Sequence, residues 1–271
     1  MDRYKLFVRY STVIGTRRRG PATIAEAVDF GVAELVPDAD RPGAWTLLLD
    51  GMPQSHVDTE RPHKLAFEYM RRFGSVVDSV ALQGVPLRVL HLGGGAMALA
   101  RYVAATRPGS RQVVVERDAA LVSLVRRVIP LPRHAPIKVR VADARSAVAA
   151  QSVRGRFDLV LVDVPDCRFT MDFVAAVRGA LAQGGCVAMN IVDGHARAHV
   201  ATMRSVAGEV CLMAEQSVLR GRQRGNVVLV AADRLPLGAL ADATARDPVP
   251  IKILHGADLD RFVAGAKPLV R

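Results

Sequence analysis

The sequence predicts a doubly wound α/β protein, with a mostly parallel seven-stranded sheet that ends in a C-terminal antiparallel hairpin and a small N-terminal β meander in front. Three observations carry this reading. From Pro86 onward, short β-branched runs alternate strictly with helical segments. Those runs are almost continuously apolar, as strands covered on both faces must be. The last two strand-like runs, EVCLMAEQSVL and NVVLVAA, are separated by the turn RGRQRG rather than by a helix, which is a hairpin signal.

Taken in order, residues 1–30 are basic and poorly patterned, and GTRRRGP at 15–21 reads as a turn. Residues 31–85 hold VAELVP, AWTLLLD and QSHVD, punctuated by DADRPG and Gly51, hence the meander. Trp45 is expected to anchor it on the main domain. HKLAFEYMRRF after Pro62 predicts a helix over 63–73. Residues 86–271 form the Rossmann-like domain, with strands LRVLHL, QVVVE, IKVRVA, FDLVLVD and GCVAMNIV and helices between them. DLDRFVAGA predicts a final helix.

With 271 residues, 50% hydrophobic and 23% charged, the chain has a globular composition, so disorder and collagen are excluded. The net charge is +11, and five of the 37 cations are Lys, leaving 32 Arg. They are scattered, and no aromatic residues interleave them as a base-stacking surface requires. This favours a solvated basic face over a nucleic-acid stripe. Cys167, Cys186 and Cys211 are odd in number and lie in or beside apolar runs, as reduced core residues do. No signal peptide or bilayer-length apolar stretch is present, so a cytoplasmic protein with no membrane partner is expected.

The chemistry sits at strand ends. LRVLHLGGGAMALARY places Gly93, Gly94 and Gly95 between a strand and a helix, where backbone can approach a ligand and helix N–H groups are expected to be free. Glu116 ends the second strand, 23 residues beyond Gly93, where a carboxylate can accept both hydroxyls of a ribose. Asp143 follows the third strand as the expected N-cap of the next helix and a candidate contact for an adenine amino group, with Ala144 behind it. Asp163 and Asp166 follow the fourth strand, where a carboxylate can serve as a general base toward an amine. His56, His63 and His91 lack metal-ligand spacing, and His91 is expected to be a satisfied interior residue.

As a constellation, these residues resemble the spermidine/spermine synthase family, the polyamine aminopropyltransferases, within the class I SAM-dependent methyltransferase fold. LLLDGMPQSHVD is similar to that family's LDGxxQ stretch. The resemblance implies an adenosylsulfonium ligand, namely S-adenosylmethionine (SAM), decarboxylated SAM or the thioether product methylthioadenosine. It implies that Gln54 and Glu116 hold the ribose, Asp143 and Ala144 the adenine end, and Gly93–Gly95 the backbone side. Asp163 would then be the catalytic base, with Asp166 and Tyr69 binding an amine, in a homodimer.

Three departures bear on the acceptor half. The family's GGGDGG loop has an Asp where Ala96 stands. Its helix tyrosine aligns with Phe67, with Tyr69 two residues on. After Asp166 the chain runs through Cys167-Arg168-Phe169 almost at once into a helix, leaving little length for a lid. A polyamine is a cation, and a chain of +11 opposes its approach. The expectation is a preserved adenosyl half and an eroded amine half. The alternatives are a SAM-dependent methyltransferase acting on another acceptor, RNA included, or a non-catalytic relative.

Overall fold

The computed structural model describes residues 22–164, 168–192 and 196–270. The turn at 15–21, Asp166 and Cys167 lie outside the described residues.

The N-terminal sheet is antiparallel and runs in chain order, β1 (Ile24–Val28), β2 (Gly31–Pro37), β3 (Ala44–Leu49) and β4 (Met52–Asp58). It has one strand more than the meander read from sequence, because β1 pairs along its whole length with β2. Its apolar face, Ala33, Leu35, Leu47 and Val57, joins Ala96, Ala98, Leu121, Leu124 and Val125 in one cluster, with Trp45 packed against it. Two aspartates pin the β1–β2 turn. Asp118 accepts from the Asp29 and Phe30 amides, and Asp29 accepts from the Ala119 amide at 2.7 Å.

Helix α1 (Glu68–Ser79) starts five residues later than the sequence suggested. The Asp58 carboxylate captures the Glu60 and Arg61 amides, and Lys64 N–H bonds the Arg61 carbonyl. The chain therefore turns before it can wind. Met70, Phe73, Val76 and Val77 then bury one face of α1.

The main sheet is built from β5 (Arg88–Leu92), α2 (Ala98–Thr106), β6 (Arg111–Glu116), α3 (Ala119–Val128), β7 (Ile137–Val141), α4 (Ala144–Ala149) and, after a 3-10 turn at Gln151–Val153, β8 (Phe157–Val162). There follow α5 (Met171–Ala180), β9 (Leu181–Val192), α6 (Ala196–Arg204), β10 (Glu209–Glu215), α7 (Gln216–Leu219), β11 (Asn226–Ala232), α8 (Leu237–Thr244), β12 (Ile251–Leu254) and α9 (Gly256–Val263). The order across the sheet is β12-β10-β11-β9-β8-β5-β6-β7. Strands β5 to β9 are parallel, and β10 and β11 pair antiparallel as expected, although the end of the expected strand, QSVL, winds as α7 before the turn. The sheet has eight strands rather than seven, because β12 pairs antiparallel with β10. Strand order reverses between β5 and β8, so a crevice opens at their carboxyl ends.

Three arginines correct the reading of the cations as a solvated face. Arg72, Arg101 and Arg107 are 1%, 3% and 1% exposed. Arg107 donates to the Val77, Ala81, Leu82 and Val85 carbonyls and so closes the end of α1. Arg101 does the same for Ile129 and Pro130 after α3. These two guanidinium groups each satisfy several carbonyls at a helix end, whereas Arg72 donates to the Asn226 carbonyl and the Glu215 carboxylate. His91 is interior as expected, with its Nε2 2.8 Å from the Gln112 side-chain oxygen, and burial pushes its pKa down to about 4. Cys186 and Cys211 are buried free thiols.

Candidate active site

The crevice is assembled from backbone outward. Gly93 follows β5 at φ +98°, and a Cβ placed on it would lie 2.0 Å from the Asp163 carbonyl oxygen. Only glycine allows the ends of β5 and β8 to close this tightly. The Asp163 N–H in turn bonds the Leu92 carbonyl at 2.8 Å. A Cβ on Gly94 would stand 3.1 Å from that of Glu116.

The glycine amides are not free, contrary to the sequence reading. Gly94 N–H (2.8 Å) and Gly95 N–H (3.2 Å) both donate to Glu116 Oε2, and Asp118 N–H donates to Oε1 at 3.2 Å. The loop thus orients the carboxylate instead of presenting bare amides. Oε2 thus has both lone pairs engaged, and Oε1 keeps one for a further donor.

Gln54, on β4, is exposed, and its backbone carbonyl accepts from the Tyr69 hydroxyl at 3.2 Å. Its neighbour Ser55 is 1% exposed, lies against Gly95, and its hydroxyl has no hydrogen-bond partner among the described residues. The Tyr69 side chain also faces the Asp163 carboxylate closely enough to favour its charged form. The Phe67 and Tyr69 rings sit 6.3 Å apart, and of the two only Tyr69 carries a hydroxyl, which reaches the Gln54 carbonyl.

Asp163 is the centre of the cluster. Asn190 Nδ2 donates to its Oδ1 at 2.9 Å, and Asn226 Nδ2 donates to the Asn190 side-chain oxygen at 3.0 Å. That second bond fixes which way the Asn190 amide points. Behind it, Arg72 donates to the Asn226 carbonyl (2.7 Å) and to Glu215 (3.2 Å). Burial raises the Asp163 pKa to about 6 against the pull of Asn190 and Tyr69, with the Glu116 charge adding to the rise. Such a carboxylate is ionised at neutral pH yet basic enough to take a proton.

Asp143 caps α4 as expected, accepting from Ser146 N–H at 3.0 Å, and that bond holds its carboxyl below the usual range. It sits at the outer end of the crevice, one residue beyond Ala142, whose N–H bonds the Glu116 carbonyl. Ala144 opens the helix. Ala96 is fully buried in the cluster beneath the N-terminal sheet. The loop thus adds no carboxylate to the crevice.

Sequence reasoning therefore brought Gln54, Tyr69, Gly93–Gly95, Glu116 and Asp163 to one place, with Asp143 at the rim. It missed Ser55, Asn190 and Asn226. The signal for Asn190 was present, since it is the one polar residue in the apolar run CVAMNIV. Ser55 and Asn226 carried none.

The stability of the fold should register Asp163. Its folded pKa of about 6 exceeds the ordinary 3.8, so the native state holds the proton more tightly than the unfolded chain. The stabilisation is full below about pH 4 and is lost as pH rises through 6, by on the order of 3 kcal/mol. Urea unfolding at a series of pH values reads this slope.

The fold, a parallel sheet closed by an antiparallel hairpin with glycines and acids at the carboxyl edge, is that of the class I methyltransferase-like proteins. Human methyltransferase-like protein 13, solved with SAH, superposes with TM-score 0.51 and 18% identity over 74% of this chain and 93% of its own. No family model matches the sequence. A probable spermidine synthase from Corynebacterium glutamicum matches with TM-score 0.83 and 29% identity, covering 93% of this chain and 97% of that one. A spermidine synthase solved with the transition-state analogue AdoDATO matches with TM-score 0.61 and 16% identity over 90% of this chain and 85% of that one. The polyamine aminopropyltransferase of Neisseria meningitidis serogroup A is 25% identical over 224 residues, 79% of this chain and 81% of the relative. In sequence and in fold, the chain is spermidine synthase-like.

Proposed function

We propose that the crevice binds an adenosylsulfonium compound, SAM or decarboxylated SAM, or the thioether methylthioadenosine, and that Asp163 accepts the proton of an amine that attacks the carbon bonded to sulfonium. The observation that carries this is Asp163 itself, a carboxylate of raised pKa held by Asn190 and flanked by Tyr69 beside the loop that orients Glu116. Two neighbours point the same way, one solved with SAH and one with AdoDATO.

In this reading the Glu116 carboxylate takes a ribose hydroxyl on the lone pair that Oε1 keeps, with Gln54 opposite and Asp143 toward the adenine. Asp163 and Tyr69 face the attacking nitrogen. The C–S bond breaks as the N–C bond forms, the electron pair leaves with the neutral thioether, and the ammonium proton passes to Asp163. Catalysis rests on in-line positioning and on keeping the amine unprotonated. The transfer rate should rise with pH through about 6, opposite to the stability trend.

Glu116→Gln should weaken nucleoside binding by about ten- to a hundred-fold, since a hydrogen bond to a charged group is worth about 1.5 to 3 kcal/mol. Isothermal titration with methylthioadenosine measures it.

The burial of Ala96 favours a second reading, methyl transfer from SAM, because no loop acid faces the methionine carboxylate. Incubation with each sulfonium donor and a panel of amines, with products weighed by mass spectrometry, decides between them. A mass increase of one aminopropyl group supports the first reading and of one methyl group the second. No transfer to any amine would remove the role of Asp163 as base.

A further inference from the structure

A second opening lies at the other end of the sheet, where β5 to β8 begin. It is a groove of about 670 Å³, within the range of small-molecule sites. Five cations border it. Arg88 and Arg111 start β5 and β6, Lys138 and Arg140 project from β7, and Arg156 precedes β8. Arg88 is spoken for by Asp158, and Arg156 donates to the Ser152 carbonyl at 2.9 Å. Among the described residues, Arg111, Lys138 and Arg140 enter no salt bridge.

Strand register explains why these charges converge. Lys138 pairs with Val113 and Arg140 with Val115, and paired residues share a face. That face is the one covered by α4 and α5, whose apolar residues cluster with Val113 and Val115. Helix α4 has only six residues, and on this face of the outer strand β7 both Lys138 and Arg140 are exposed. The result is an apolar floor of Val113, Val153 and Phe157 beneath a cationic rim.

Unpaired Arg and Lys on a rim suit phosphate oxygens, which guanidinium binds bidentately, and an apolar floor suits a flat ring. We propose that this groove is a second ligand site that takes a nucleoside polyphosphate, its phosphate chain across Arg111, Lys138 and Arg140 and its base on the floor. The volume is within the range of small-molecule sites, which favours a small ligand over an RNA surface. At about 3.3 Å per residue, strands of five or six residues put it roughly 15–20 Å from the crevice, so the two sites should be occupied independently.

The test titrates the whole chain with adenosine triphosphate, inorganic tripolyphosphate and methylthioadenosine, beside a Lys138→Glu/Arg140→Glu variant. Both side chains are exposed, and circular dichroism checks that the variant folds. The expected result is triphosphate binding that weakens at least ten-fold in the variant and survives saturation with methylthioadenosine, whose own affinity is unchanged. Tripolyphosphate should bind more weakly than the nucleotide. The proposal is overturned if wild type does not bind the triphosphate, if the variant binds it equally, if methylthioadenosine displaces it, or if tripolyphosphate matches it. Tighter, steeply salt-dependent binding of RNA that the variant loses would also overturn it in favour of a nucleic-acid surface. Methylthioadenosine binding is read separately, so failure here leaves the crevice reading standing.

Discussion

Gly93→Ala is expected to destabilise the protein by about 2 to 5 kcal/mol and to abolish nucleoside binding. The added Cβ would stand 2.0 Å from the Asp163 carbonyl oxygen at a backbone φ of +98°. A residue forced into positive φ costs about 1–2 kcal/mol, and overpacking a closed site about 1–3 more. The obstacle is backbone, which cannot swing aside as a side-chain end would. The strand ends must part, carrying Asp163 away from Tyr69 and disturbing the loop that holds Glu116. Gly51→Ala is the matched control, at φ +74° with no atom within 4 Å of the new Cβ. It should cost about 1 kcal/mol through conformation alone. Urea denaturation of both variants gives the comparison, and equal losses would mean that the β5–β8 contact is not what Gly93 secures.

Asp163→Asn should lower amine transfer by about 10² to 10⁴, the usual contribution of a positioned general base, while changing methylthioadenosine affinity less than three-fold. The substitution is isosteric and leaves the Asn190 and Tyr69 positions filled. It also removes the group whose pKa lies near 6. The pH dependence of stability between about 4 and 6 should flatten in the same variant. A catalytic loss with the slope intact would assign the titration to another group. A flattened slope with full activity would leave Asp163 a structural acid.

The sequence revealed those parts of the site that follow from chain direction. In a parallel sheet, the carboxyl end of every strand opens on one edge, so Gly93, Glu116, Asp143 and Asp163 were bound to share it once the alternation was recognised. What depends on side-chain direction was not legible. Ala96 follows the glycines as a ligand residue would, yet it is buried beneath the N-terminal sheet. Arg72, Arg101 and Arg107 carry the same charge as the solvated arginines, and only the nearby carbonyls show that they are interior. Phe67 and Tyr69 could not be ranked until α1 was seen to begin at Glu68. Strand β12 is four residues long and preceded by Pro248 and Pro250, too short to show a period of two.

The central claim is that the crevice between β5 and β8 holds an adenosylsulfonium compound or its thioether. Isothermal titration calorimetry of the intact chain with SAM, decarboxylated SAM and methylthioadenosine tests it most directly. The structure predicts one-to-one binding of at least one of the three, weakened when Glu116 is replaced by Gln. Absence of heat with all three, in a protein shown to be folded, would contradict it.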